Sequence, residues 1–205
     1  MNKAIEQSIN DVKKEISFAV VSTNDRDAML RHLQECADRS IPCLFDPGQQ
    51  INNFSVPQLS YALELADYVI VNEHEYSLLK EMTGLSDKGI DEQIEGVIIT
   101  LGNQGSTFRN AEQMIHIPSI KTEIVDRSWA GDAYRAGLLA WWEQGLGWKT
   151  AMQMGTLCAH LCIQHHGCQG HFFSLEAFMR EYHQHYATHL NIEAVKVKEK
   201  TRHAE

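Results

Sequence analysis

The sequence predicts an α/β domain built on a mainly parallel sheet, and three observations carry that expectation. Four short apolar runs of strand length recur through the first half and alternate with stretches of helical periodicity, the pattern of parallel strands joined by crossover helices. Each of the last three runs is followed at once by polar or glycine-rich residues, where open parallel sheets hold their ligands. After Asp132 the chain turns to helix-like segments alone.

The runs Ser17 to Ser22, Ile41 to Asp46, Tyr68 to Asn72 and Gly96 to Thr100 are rich in Val, Ile and Phe and match buried strands. Between them, Ala28 to Asp38 and Glu73 to Met82 carry apolar residues at spacings of three and four, and Thr83-Gly84 supplies a helix stop. Ser106 to Asn110 and Met114 to Pro118 read as a small hairpin. Ala133 to Gln144 is apolar nearly all round, which predicts a buried helix stopping at Gly145. Trp148 to His166 predicts a second helix, and Ser174 caps a third that runs to about Tyr186. The tail from Glu193 to Glu205 is charged and weakly patterned and predicts disorder.

Composition narrows the function. With 205 residues and 43% hydrophobic content the chain can bury a real core. The net charge of -9, from 27 acidic against 18 basic residues, argues against a nucleic-acid surface, which needs a basic stripe. No apolar run approaches the roughly 18 residues of a membrane span, and the first residues lack the apolar core of a signal peptide. The expectation is therefore a cytoplasmic protein with neither a nucleic-acid nor a membrane partner. Cys36, Cys43, Cys158, Cys162 and Cys168 are an odd set without scaffold spacing, so they predict thiols rather than disulfides. Cys158 and Cys162 share a helix face near His160, but with no Cys-x-x-Cys pair they read as packing residues rather than a metal site.

The most informative segment is Asp126-Arg-Ser-Trp-Ala-Gly-Asp132-Ala-Tyr-Arg-Ala-Gly-Leu-Leu139, a turn of small residues that delivers an aspartate onto an apolar helix. At a helix start the amides of Ala130, Gly131 and Asp132 lack helical acceptors, and with the positive end of the dipole they form an anion hole. Asp132 beside them is the candidate base for an attacking hydroxyl. Taken locally, Gly-Asp before an amphipathic stretch is also an ordinary helix start.

This segment resembles the second signature of the PfkB carbohydrate kinases, the ribokinase and adenosine kinase family, usually written Asp-x-Thr-Gly-Ala-Gly-Asp. Trp129 departs from it, standing where Gly or Ala is expected, and Ser128 keeps the hydroxyl of the usual Thr. Other elements match the family in order. Asp46-Pro-Gly-Gln-Gln50 leans toward the adenosine kinase-like bacterial members. Asn72-x-x-Glu75 resembles the Asn-x-x-Glu element that helps organise magnesium, and Thr100-Leu-Gly-x-x-Gly105 the ribokinase nucleotide loop. Gly167-Cys-Gln169 and Thr156 fall near the adenine side.

The resemblance implies a ribokinase-like, three-layer Rossmann-like fold and an ATP-dependent phosphotransferase acting on an alcohol group of a sugar or nucleoside. It implies ATP with magnesium, and possible potassium, as cofactors. Asp132 would then be the base, with Ala130, Gly131 and Asp132 as the anion hole. Asn72, Thr100, Gly102, Gly105, Thr156 and Gly167 would bind the nucleotide. Glu75 would hold magnesium through water, and Asp126 and Ser128 a monovalent cation.

Family members begin with substrate-binding strands, a Gly-Gly motif and a β-sheet lid, none of which occurs here. The expected organisation is an extension over residues 1–16, a truncated PfkB-like domain over 17–186 without its lid, and a charged tail over 187–205. The sheet edge left open invites a homodimer or a partner chain. Two readings stand: a kinase, or a catalytically impaired remnant that binds nucleotide or a partner.

Overall fold

The computed structural model describes residues 7–167, 170 and 172–186. The expected disordered tail therefore lies outside the described residues. The chain divides into two units, one of Met1–Gly102 with Thr107–His116, the other of Asn103–Ser106 with Ile117–Glu205.

The first unit carries most of the sheet. Strands β1 (Ala19–Val21), β2 (Cys43–Phe45), β3 (Tyr68–Asn72), β4 (Gly96–Thr100), β5 (Ser106–Arg109) and β6 (Met114–Ile117) lie side by side in chain order. The first four are parallel, and their register brings Val21 opposite Phe45 and Asn72 opposite Thr100. All three residues of β2 and the first four of β3 and β4 are buried, as strands covered on both faces require. The α/β class with a mostly parallel sheet is thus the observed one.

Helix α1 (Arg26–Asp38) starts where the Asp25 carboxylate accepts the amides of Asp27 and Ala28. Its Glu35 carboxylate accepts the Ser8 hydroxyl and the Ile9 amide, both at 2.7 Å, which ties part of the expected N-terminal extension to the domain. Helix α2 (Val56–Leu65) is one the sequence reading leaves unassigned, although Ser55 and Gln58 form a capping box and Pro57 sits in its first turn. Helix α3 (Glu73–Thr83) ends at Gly84, whose φ of 70° is the left-handed geometry expected of a glycine stop. A short helix, α4 (Asp87–Asp91), precedes β4.

Around α3, α4 and β5 lies an ionic network in which Arg109 is central. Its Nε donates to both carboxylate oxygens of Asp91 at 2.9 Å, another nitrogen pairs with Asp87 at 3.3 Å, and a third donates to the Tyr76 hydroxyl. Lys80 pairs with Asp87 at 2.9 Å. Burial pushes the Tyr76 phenol up to about 12, while the Lys80 hydrogen bond, ahead of the other contacts, lowers Asp87.

The second unit is helical. Helix α5 (Ala130–Trp142) starts three residues earlier than expected and buries one stripe, Tyr134, Gly137, Leu138 and Trp141, while Ala136 and Ala140 are exposed. The expectation of all-round burial is corrected: spacings of three, one and three mark one covered face. Helix α6 (Gly147–Ile163) approaches α5 closely because two glycines allow it. A Cβ on Gly137 would lie 2.9 Å from the Met154 carbonyl, and one on Gly155 would lie 2.8 Å from the Tyr134 carbonyl. Helix α7 (Leu175–His185), capped by Ser174, packs Phe178, Met179 and Tyr182 with Trp141, Met154 and Leu157.

Among the described residues, no helix is long and apolar enough to cross a membrane, and no cluster of three His, Cys, Asp or Glu side chains is arranged to hold a metal. Cys36, Cys43, Cys158 and Cys162 form no disulfide. Cys168 lies outside the described residues.

Candidate active site

At the carboxyl end of β3, Asn72 caps α3. Its side-chain oxygen accepts the Glu75 amide at 2.9 Å, and a Glu75 carboxylate oxygen accepts the Asn72 amide at 2.8 Å. This capping box fixes the glutamate at the strand end and commits one of its two oxygens. The other oxygen suffices for a magnesium ion, which keeps most of its waters and needs only one or two carboxylates. Thr100, half-buried, is the register partner of Asn72 on β4. Two residues on, Gly102 turns with φ 56°, and a Cβ there would meet nothing within 4 Å.

Gly105 is different. Its φ is 97°, and a Cβ would fall 2.0 Å from the Ile117 carbonyl oxygen, so the fold demands this glycine whether or not a ligand approaches. Thr156 is also explained by the fold. It is buried in the middle of α6, and its hydroxyl donates to the Met152 carbonyl at 2.9 Å.

In the second unit, Trp129 is the residue flanking α5, so Ala130, Gly131 and Asp132 fill its first three positions. The Ala130 amide donates to the Arg127 carbonyl at 3.2 Å, which corrects the expected trio of anion-holding amides. The Gly131 and Asp132 amides remain at positions with no acceptor inside a helix. A Cβ on Gly131 would meet nothing within 4 Å, and its φ is not in the left-handed region. Neither backbone nor packing requires this glycine, although glycine in a helix costs about 1 kcal/mol relative to alanine.

The Asp132 carboxylate, 57% exposed, pairs with Arg135 one turn on. Sequence reasoning passed over Arg135, although acid and base three apart on a helix are a legible signal.

Trp129 is 42% exposed, with φ -113° and ψ 10°. The indole is neither a core residue nor a substitute for a glycine in left-handed geometry. Trp129→Gly is expected to change stability by about 0.5 kcal/mol or less, as surface substitutions do, against the roughly 3–5 kcal/mol of a buried aromatic truncation. Thermal melting of the two proteins checks it.

Upstream, Asp126 acts as a clamp. One carboxylate oxygen accepts the Ser128 amide at 2.9 Å and the other the Gly167 amide at 3.1 Å, while the Val125 and Asp126 amides donate to the Ile163 carbonyl. The Ser128 amide and hydroxyl, then the Gly167 amide, hold the carboxyl down to about 2. Each oxygen of Asp126, expected with Ser128 at a monovalent cation, thus accepts one backbone amide. Gly167, expected at the nucleotide, supplies the second donor of this clamp. The remainder of the Gly167-Cys-Gln169 element lies outside the described residues.

The clamp has a pH signature. A carboxyl lowered to about 2 on folding, from roughly 3.9 unfolded, stabilises the fold above about pH 4 and loses that contribution as pH falls toward 2. Asp126→Asn is expected to melt below wild type at pH 7, with the gap closing between about pH 4 and 2. Melting temperatures across that range check it.

A mostly parallel sheet with helices between its strands defines an α/β protein, and polar strand ends and helix starts are where proteins of that class commonly bind ligands. Residues 3–172 match the model of the pfkB family carbohydrate kinases, and the chain belongs to that family.

The nucleoside kinase of Burkholderia thailandensis, solved in complex with inosine, superposes with a TM-score of 0.83 at 31% identity, over 91% of this chain and 60% of that one. The same enzyme in complex with ADP-inosine gives the same TM-score and identity over 57% of its length. A nucleoside kinase of Methanocaldococcus jannaschii is 29% identical over 126 residues, which are 61% of this chain and 42% of the relative. The chain thus spans less than half the length of that curated relative.

Proposed function

We propose that this chain is an ATP-dependent phosphotransferase with a nucleoside as its acceptor. The observation that carries the reading is the start of α5, where Gly131 has open space at its Cα and no packing need to be glycine, one residue before an exposed carboxylate. The nucleoside kinases among its relatives favour a nucleoside over a sugar. In this reading Asp132 takes the proton of the attacking hydroxyl, and the Gly131 and Asp132 amides stabilise charge on the transferring phosphoryl group. Thr100 and Gly102 approach the nucleotide through their backbone, and Asn72 holds Glu75 in place. Magnesium, bound through water at Glu75, would neutralise phosphate charge. Potassium is not part of the proposal.

The test is incubation with ATP, magnesium and separate nucleosides or sugars, with ADP and phosphorylated product measured. Transfer to a nucleoside supports the reading. ATP binding without transfer to any acceptor favours the second reading, an impaired nucleotide-binding remnant, to which the exposed Trp129 indole beside the anion hole lends weight.

Gly131→Ala separates a ligand site from a plain helix start. The added methyl meets no atom of the protein, so stability should hold or rise by up to about 1 kcal/mol. ATP affinity should fall, because the methyl crowds the phosphate that approaches the amide. Unchanged affinity, measured by calorimetry alongside melting, would count against the anion hole.

A further inference from the structure

The residue two places after Asp132 is Tyr134, 5% exposed, and its phenol shares a hydrogen bond of 2.8 Å with the hydroxyl of Ser106, 1% exposed. Ser106 directly follows Gly105, the last residue of the turn read as the nucleotide loop. Both partners belong to the second unit. A phenylalanine could fill the same volume, so packing alone does not explain a phenol here. A buried hydroxyl needs a partner, and Tyr134 and Ser106 supply one to each other.

The surroundings fix both ends of this bond. On the loop side, the Gly105 backbone lies so close to Ile117 that a Cβ would sit 2.0 Å from its carbonyl oxygen, and the Ser119 hydroxyl donates to the Asn103 carbonyl. On the helix side, Gly155 of α6 approaches until its Cβ would lie 2.8 Å from the Tyr134 carbonyl and 3.2 Å from the ring. The phenol therefore cannot shift without the first turns of α5, nor the serine without the end of the loop.

We propose that Tyr134 and Ser106 are a positioning pair that holds the end of the nucleotide loop in register with the start of α5. The proposal rests on the reading of Thr100 to Gly105 as a nucleotide loop. It makes Tyr134 a determinant of nucleotide affinity although its phenol is buried on a serine hydroxyl. Its effect is on geometry, since a displacement of about 1 Å at a phosphate site is enough to weaken binding and transfer.

The test compares the wild-type chain with Tyr134→Phe, Ser106→Ala and the double variant, measuring magnesium-ATP affinity by calorimetry and the melting temperature of each. Tyr134→Phe leaves the serine hydroxyl buried without its partner, so it should melt lower and bind ATP about tenfold more weakly. The double variant removes both polar groups, and its melting temperature should return close to wild type. Its ATP affinity should stay about tenfold weak, because the tether is still missing. Affinity that recovers together with stability would show a purely structural bond and overturn the proposal. Unchanged affinity in all three variants would overturn it too, while leaving the nucleotide site standing. A wild-type chain that binds no ATP would overturn the site and the pair together.

Discussion

Asp132→Asn is expected to lower the rate of phosphoryl transfer by roughly 10²–10⁴-fold, the usual contribution of a positioned general base, while ATP affinity stays close to wild type. In the proposed mechanism the two quantities separate, because the carboxylate would act on a proton of the acceptor, whereas the phosphates would be held by backbone amides that the substitution leaves in place. The fold should tolerate the change. Asp132 is 57% exposed, and its pair with Arg135 on the helix surface is of a kind worth about 1 kcal/mol at most. A carboxylate in the first turn of α5 adds a favourable interaction with the helix dipole of about 0.3–1 kcal/mol, which the amide would lose. Initial rates of ADP formation with a nucleoside acceptor, together with calorimetric titration of ATP, decide the matter. Transfer by Asp132→Asn at the wild-type rate would remove Asp132 from the mechanism.

Arg109→Ala is expected to give the largest loss of stability, about 3–5 kcal/mol, as the breaking of buried ion pairs does. The Arg109 side chain is 16% exposed and that of Asp91 14%, so deleting the guanidinium leaves a largely buried carboxylate without its cation. The Tyr76 hydroxyl loses a donor at the same time. Asp87 is less affected, because it is 54% exposed and keeps Lys80 at 2.9 Å. For a chain of this length the melting temperature should fall by roughly 10 °C. Replacing both members of the closest pair, Arg109→Met with Asp91→Leu, should recover much of the loss, since no unpaired charge is then buried. Urea unfolding of the three proteins measures each step. A loss below about 1 kcal/mol in Arg109→Ala would mean that water reaches the network and that it behaves as a surface pair.

Much of the fold and part of the site were legible in the sequence, and the reason is that those features are local. The runs ending at Asn72 and Thr100 are strands β3 and β4 to the residue, because a buried strand is a continuous apolar run. Gly84 ends α3, Ser174 caps α7, and Asp132 lies in the first turn of α5, since caps and turns depend on residues a few places apart. The capping box of Asn72 and Glu75 is of the same kind. Helix α2 is signalled by the same kind of local cue, Ser55, Pro57 and Gln58.

Tertiary structure alone decided what depends on residues far apart in the chain. Spacing cannot say that Gly105 and Gly155 are glycines because the backbones of Ile117 and Tyr134 come within contact of them, whereas Gly131 has open space. Nor can it show that Asp126 reaches the Gly167 amide 41 residues away. The bond from Ser106 to Tyr134 spans 28 residues, and the network of Arg109 joins β5 to two helices before β4. Local sequence sets which backbone conformations are cheap. Which amide meets which carboxylate, and which glycine a fold can spare, is fixed only when close packing brings distant segments within a bond length of each other.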